Sequence, residues 1–186
     1  MSAHLEGCAQ CRATVSDFEE EEGISMSSSP SVPMTSGSLG RALAGLDREP
    51  ATVERLVDGP QYLANVRLPV AVALAGLRSR RWLAPGLWAA AVRLTNHDGW
   101  RAFILHAPAG TLIPAYEHRG RELIAVLAGA FGAERTYVAG DFVESIRGEN
   151  HQLRVTDDGE CVCLISTQGR IKWRGWAKLI APVLNI

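Results

Sequence analysis

The spacing of apolar residues divides the chain into a helical first part and a strand-rich remainder. Up to Glu22 the sequence is predicted to be a helix that ends in an acidic run, and Gly23 is expected to stop it. A Ser- and Pro-rich stretch follows over 25–38, where little apolar surface could be buried. A short helix is then predicted up to Leu46, because leucines recur there at helical spacing.

After Trp82 the pattern changes to short apolar runs separated by glycines. Asn96-His97-Asp98-Gly99 lies between the first two runs, and Asn, Asp and Gly are residues that tolerate the backbone of a tight hairpin turn. Many short strands with regular glycine turns are typical of a β-sandwich or barrel. The predicted strands cover 87–94, 100–106, 122–127, 130–138, 141–146, 152–156 and 161–166.

These patterns predict four regions and a mainly β chain. The regions are a helical segment at 1–24, a Ser/Pro-rich linker with a short helix at 25–50, a helical or extended lead-in at 51–82, and a β-barrel at 83–186. A helix that starts near Pro69 is predicted within the lead-in, since proline fits the first turn of a helix.

Charge and hydropathy narrow the classes of partner. Lys+Arg number 19 against 20 for Asp+Glu, so no overall positive charge favours nucleic acid. The longest apolar run, 68–77, is shorter than the roughly 20 residues that a membrane helix needs. The N-terminus lacks the basic start and apolar core of a signal peptide. We therefore expect a cytoplasmic protein with neither nucleic acid nor membrane as a direct partner.

Residues suited to bind a metal recur within a glycine frame that runs from Gly110 to His151. Tyr116, His118 and Glu122 fall in the first half of this frame, and His151 closes the second half. Imidazole and carboxylate groups are ligands for zinc, iron(II), manganese or nickel, so the pattern predicts a divalent-metal site in the barrel. The alternative is that the two histidines are ordinary hydrogen-bonded residues inside the barrel.

Tyr116 leaves three outcomes open for that site. Its phenol could ligate as a phenolate beside a cation. Its ring could instead fill the space and abolish binding. Three protein ligands with water would also form a valid open site.

The N-terminus carries a second candidate metal site, formed by His4, Cys8 and Cys11. On one continuous helix these positions share a face, so an imidazole and two thiolates could meet one zinc ion. A structural tetrahedral site needs a fourth ligand, and the sequence identifies none upstream. A chance cluster near a terminus is the alternative interpretation.

Cys161 and Cys163 lie two residues apart on a predicted strand and therefore face the same side. Burial as small apolar groups is the interpretation we favour, because it is the usual fate of free cysteine. If exposed and deprotonated, the same thiols would be oxidisable.

Two spaced motifs give the chain a resemblance to a known family. Gly110-x5-Tyr116-x-His118-x3-Glu122-x6-Gly129 and Gly140-x5-Ile146-x-Gly148-x2-His151 resemble the two cupin motifs, with Tyr116 where the family has its first histidine. Behind His-x3-Cys-x2-Cys and a Ser-rich linker, they resemble the ChrR type of anti-sigma factor.

The resemblance implies a cupin, that is, a double-stranded β-helix or jelly-roll-like barrel, with a short α-helical N-terminal segment. It also implies a transcription regulator whose zinc-binding segment occludes an extracytoplasmic-function sigma factor. Its cupin barrel would sense oxidative stress such as singlet oxygen and could form a homodimer.

One departure from the family concerns the N-terminal segment. In the family two helices and a histidine ligand precede the His-x3-Cys-x2-Cys motif, so residues 1–24 are expected to form only part of the anti-sigma domain. Because a partial domain buries a smaller core, this departure weakens the expected contact with a sigma factor. Two other hypotheses remain: a metal-dependent cupin enzyme resembling a dioxygenase, and a metal-free cupin that binds a ligand.

Overall fold

The computed structural model describes residues 2–46, 59–94, 98–114, 116–118, 120–132, 135–145, 153–169 and 171–173. Its helices are α1 (Ser2–Gly7), α2 (Ala9–Ser28), α3 (Ser38–Leu46) and α4 (Val70–Ala75). Its strands are β1 (Tyr62–Leu63), β2 (Val66–Arg67), β3 (Arg81–Ala84), β4 (Leu87–Ala91), β5 (Trp100–Ala107), β6 (Tyr116–His118), β7 (Glu122–Ala128), β8 (Ala130–Gly132), β9 (Thr136–Val138), β10 (Phe142–Ser145), β11 (Arg154–Val155), β12 (Cys161–Gln168) and β13 (Ile171–Trp173).

The first predicted helix differs from the structure at two points. Cys8 is extended (φ −102°, ψ 104°) and separates α1 from α2, so the metal motif spans a break instead of one helix. The Arg12 guanidinium donates to the carbonyls of Leu5 (2.7 Å) and Glu6 (3.1 Å), which satisfies the end of α1.

Gly23 does not stop α2, which continues to Ser28. A glycine inside a helix costs only about 1 kcal/mol. α2 ends at Ser28, shortly before Pro30, because the residue before a proline is disfavoured in a helix.

The predicted strands recur, but β5, β7 and β12 end one or two residues later than predicted, β4 ends earlier, and one predicted strand divides. The run 130–138 forms β8 and β9, which pair antiparallel with Ala130 opposite Val138. The predicted helix after Pro69 is present as α4, and α3 occupies the predicted short helix. The predicted packing of the C-terminal stretch beyond Trp173 lies outside the described residues.

The strands form a six-stranded sheet in the order β10-β7-β12-β5-β4-β3 and a three-stranded sheet in the order β11-β8-β9. Two short antiparallel pairs, β1-β2 and β13-β6, complete the described sheets.

Each face of the six-stranded sheet packs against a different partner because side chains alternate along a strand. The inner face meets the three-stranded sheet, where Phe131 and Val155 join Ile124 and Ile165 in one apolar core. The outer face is covered by the lead-in, whose Leu68 and Val72 pack in a second core, together with Trp88, Ile104 and Val162. Within this sheet β12 and β5 are the two central strands, and β7 is the other neighbour of β12.

Candidate functional site

Tyr116 and Glu122 meet inside the barrel. Tyr116 is the first residue of β6 and Glu122 the first residue of β7, which belong to different sheets. The Tyr116 hydroxyl donates a hydrogen bond of 2.8 Å to a carboxylate oxygen of Glu122. Tyr116 is only 3% exposed and Glu122 is 0% exposed. The two side chains therefore meet although no single strand contains both residues.

Burial raises the pKa of Tyr116 well above its ordinary value, and the neighbouring Glu122 carboxylate raises this pKa further. The phenol therefore keeps its proton and donates it in a hydrogen bond to Glu122. A hydrogen bond to a ligating carboxylate is a common way to orient such a ligand. The structure thus shows Tyr116 as a hydrogen-bond partner of Glu122.

The structure does not describe the side chains of the two histidines of the predicted barrel site. His151 lies outside the described residues, and so does the side chain of His118. The divalent-metal site formed by Tyr116, His118, Glu122 and His151 therefore stays a prediction. A wholly buried carboxylate that accepts a hydrogen bond is compatible with such a site, because buried charges in proteins are paired or bind metals.

Sequence reasoning did not single out Thr167. Thr167 lies directly opposite Glu122 in the pairing of β12 with β7, and it is 1% exposed. Its hydroxyl makes no hydrogen bond with the residues that the structure describes. Residues 161, 163, 165 and 167 share the inner face of β12, so strand periodicity beyond residue 166 could have identified it.

Cys161 and Cys163 lie on that inner face, and both thiols are buried as expected. Their sulfur atoms are 3.5 Å apart. The Cys161 thiol and burial together raise the pKa of Cys163 well above its ordinary value. The thiolate is the reactive form, so this environment favours the less reactive thiol at Cys163.

A small apolar cavity of about 20 Å³ adjoins the two thiols. This volume is enough for about one water-sized molecule. Its lining is almost entirely aliphatic and aromatic, apart from the two sulfur atoms, and includes Leu105, Ile113, Ile124, Phe131, Cys161 and Cys163.

The second candidate site lies at the junction of α1 and α2. One ligand atom from each of His4, Cys8 and Cys11 falls within 4.8 Å of the others. His4 Nε2 lies 3.2 Å from the sulfur of Cys11. All three side chains are partly exposed, so an ion could reach them. One imidazole and two thiols suit zinc, so the residues fit the predicted ion with three ligands among the described residues.

The pKa values of the two N-terminal thiols move in opposite directions. The backbone amide and the thiol of Cys11 lower the pKa of Cys8. The pKa of Cys11 is raised, chiefly by its contact with the Cys8 thiol. A lowered pKa favours the thiolate, which is the form that ligates metals.

No helix among the described residues is both long and apolar enough to cross a membrane. Residues 71–170 match the ChrR cupin-like domain family. The anti-sigma-E factor ChrR of Cereibacter sphaeroides is 29% identical over 191 residues, which cover 100% of this chain and 87% of that protein.

A chain in the crystal structure of Rhodobacter sphaeroides SigE in complex with the anti-sigma ChrR aligns with a TM-score of 0.67 and 29% identity. This alignment covers 89% of the present chain and 85% of that chain. The mainly β cupin fold and the family resemblance predicted from the sequence are both confirmed. The family match extends over more than half of the sequence, and the chain therefore belongs to the ChrR cupin-like domain family.

Proposed function

We propose that this protein is an anti-sigma factor that binds an extracytoplasmic-function sigma factor in the cytoplasm and so regulates transcription. One observation carries the proposal. Residues 47–186 make up about three quarters of the chain, so a structural match over 89% must extend into the N-terminal helices. The likeness to a sigma-bound anti-sigma protein therefore includes the helical segment as well as the barrel.

The surface of the N-terminal helices supports a protein partner. Along the described α2, no residue is buried, and Phe18 is 62% exposed. Leu39 and Leu43 of α3 are also exposed, on one face of that helix. Exposed apolar groups that line neighbouring helices are typical of a protein-binding surface. The acidic run Glu19 to Glu22 beside Phe18 disfavours nucleic acid as the occupant.

We further propose that zinc binds to His4, Cys8 and Cys11 and fixes the angle between α1 and α2. A metal held by these three residues would tie the two helices together across the break at Cys8. Cys11→Ser should remove about one zinc per chain in elemental analysis, because thiolates dominate the ligand set. An unchanged zinc content in this variant would contradict the site.

The barrel is the proposed sensor of oxidative stress, and Glu122, His118 and His151 would hold a divalent metal there. In this arrangement Tyr116 orients Glu122 through their hydrogen bond. His151→Ala should lower the metal content of the barrel, while Cys11→Ser should leave that part of the content unchanged. Equal metal content in His151→Ala and the unmodified protein would contradict the proposed metal site in the barrel.

One cavity among the described residues of the interior suits a small molecule. Its volume of about 20 Å³ is far below the roughly 300–1,000 Å³ of pockets that enclose organic ligands. A small oxidant such as singlet oxygen is compatible with the cavity.

Binding to the sigma factor can be tested by co-elution of purified proteins. The full chain is mixed with extracytoplasmic-function sigma factors of the same organism and separated by size-exclusion chromatography. We expect a stable complex, and we expect Phe18→Ser with Leu43→Ser to weaken it at least about tenfold, since buried aromatic and aliphatic anchors dominate interfaces.

Val138→Ser is the matched control, because Val138 is exposed on the barrel, far along the chain from these helices. Absence of a complex with the unmodified chain would overturn the proposed function. An equal loss of binding in the Val138→Ser control would overturn the assigned surface.

A further inference from the structure

The carboxylate of Glu6 attaches α1 to α4, the lead-in helix that packs on the barrel. The two oxygens of Glu6 accept hydrogen bonds from the backbone amides of Val70 (2.8 Å) and Ala71 (3.3 Å). These are the first two residues of α4, and the residue before them, Pro69, makes no side-chain cap. Glu6 therefore caps a helix that lies 64 residues further along the chain.

A second contact joins the same short helix to the barrel. The ring of His4 lies 5.4 Å from the ring of Phe142, at an interplanar angle of 49°. Phe142 begins β10 and pairs with Ala125 of β7, the strand that starts at Glu122. His4 is thus both a candidate metal ligand and a contact to the sheet that carries the buried carboxylate.

The attachment depends on few contacts. A cleft of about 280 Å³ lies between α1 and the barrel, lined by Ala3, His4 and Gly7 on one side and by Leu68, Leu127 and Asp141 on the other. The carboxylate of Glu6 and the ring of His4 both make contacts across this cleft.

α1 is also too short to be stable alone. It has six residues, and isolated helices shorter than about 12 residues are marginal in water. Joint ligation of one ion by His4 and Cys11 would hold α1 against α2, and would thereby keep Glu6 at the start of α4. In the reverse direction, an α1 held by Glu6 presents His4 next to the two thiols.

We propose that Glu6 positions the N-terminal metal motif on the barrel, so that metal binding by His4, Cys8 and Cys11 and capping of α4 stabilise each other. The inference rests on the proposed zinc site and deepens it by naming the contact through which the motif and the barrel communicate. Thermodynamic linkage requires the effect to be equal in both directions.

The test uses the full chain and two readouts. Amide hydrogen exchange at Val70 and Ala71 reports whether the start of α4 is capped. Titration with Co²⁺ reports metal binding by the motif, because an ion ligated by cysteine shows thiolate absorption. Glu6→Ala removes the carboxylate without lowering helix propensity. Glu19→Ala is the matched control, since Glu19 is an exposed glutamate on α2 far from α4 in sequence.

We expect Glu6→Ala to raise exchange at both amides roughly 5- to 30-fold, the range of a lost helix cap, and to weaken Co²⁺ binding several-fold. Removal of zinc from the unmodified chain with a chelator should raise exchange at the same amides. In Glu6→Ala, zinc removal should produce little further change, because the cap is already absent. Glu19→Ala should behave like the unmodified chain in every measurement.

Exchange at Val70 and Ala71 that does not respond to zinc removal would overturn the proposed linkage. Equal Co²⁺ affinity in Glu6→Ala and Glu19→Ala would do the same. Cys11→Ser provides a second route that leaves Glu6 intact, and it should reproduce the effect of the chelator on the two amides. Sigma-factor binding is measured separately, so a chain that forms the complex without this linkage would keep the proposed function and lose only the role of Glu6.

Discussion

The two cysteine pairs of this protein lie in opposite environments. Cys8 and Cys11 are partly exposed beside His4, whereas Cys161 and Cys163 are buried on the inner face of the barrel. Each pair holds one thiol with a lowered pKa, Cys8 or Cys161, and one with a raised pKa, Cys11 or Cys163, so burial and not the direction of these shifts separates the two pairs. The same side chain therefore serves as a candidate metal ligand in the helical region and as a core residue in the barrel.

Glycine substitutions should show the largest difference in stability between the two regions. In the barrel, a Cβ at Gly129 would lie 2.0 Å from the carbonyl oxygen of Glu160, and φ there is +72°. Gly129→Ala should lower the free energy of unfolding by about 2–5 kcal/mol, since backbone strain and overpacking add. Chemical denaturation measures this change.

Gly140→Ala is the matched control for that substitution. Its φ is +95°, and nothing lies within 4 Å of an added Cβ, so only the backbone strain of about 1–2 kcal/mol is expected. Equal losses of stability in both variants would show that the contact with Glu160 carries no cost.

Thiol reactivity should separate the two cysteine pairs by roughly 100-fold or more. In zinc-free protein, Cys8 and Cys11 should react with Ellman's reagent at once. Cys161 and Cys163 should react only at the rate at which the barrel opens. The time course of thiol release, with Cys161→Ser to assign the slow phase, measures the difference. A single fast phase of all four thiols would mean that the barrel does not protect its pair.

Loss of the hydrogen bond between Tyr116 and Glu122 should have an intermediate effect on stability. Tyr116→Phe removes the donor from a wholly buried carboxylate, so the free energy of unfolding should fall by about 1–3 kcal/mol. Tyr137→Phe is the control, because the described residues show no hydrogen bond to the Tyr137 hydroxyl. Equal stability of the two variants would contradict a stabilising role for the Tyr116 hydroxyl.

The smallest expected effect lies in the helical region and has the opposite sign. Gly23 is inside α2, and nothing lies within 4 Å of an added Cβ. Gly23→Ala should therefore stabilise α2 by about 0.5–1 kcal/mol and raise the helical signal in circular dichroism. A loss of helical signal would show that α2 needs the flexibility of Gly23.

Continuous apolar runs explain why much of the barrel was predictable. The runs at 122–127 and 161–166 identify β7 and β12, since a strand that packs on both faces carries apolar residues at successive positions. Helix bounds were harder to predict. The sequence shows a glycine at position 23 but does not show that α2 tolerates it, because the cost of one glycine is small beside the propensity of its neighbours.

The sequence by itself determined the candidate ligand types, their spacing and the order of helices before strands, because these depend on local chemistry and periodicity. Only the tertiary structure decided which distant residues meet. It brings the Tyr116 hydroxyl to Glu122, Thr167 opposite the same carboxylate, and Glu6 to the start of α4. Contacts of this kind follow from strand register and from chain breaks such as the one at Cys8, and no local pattern in the sequence specifies them.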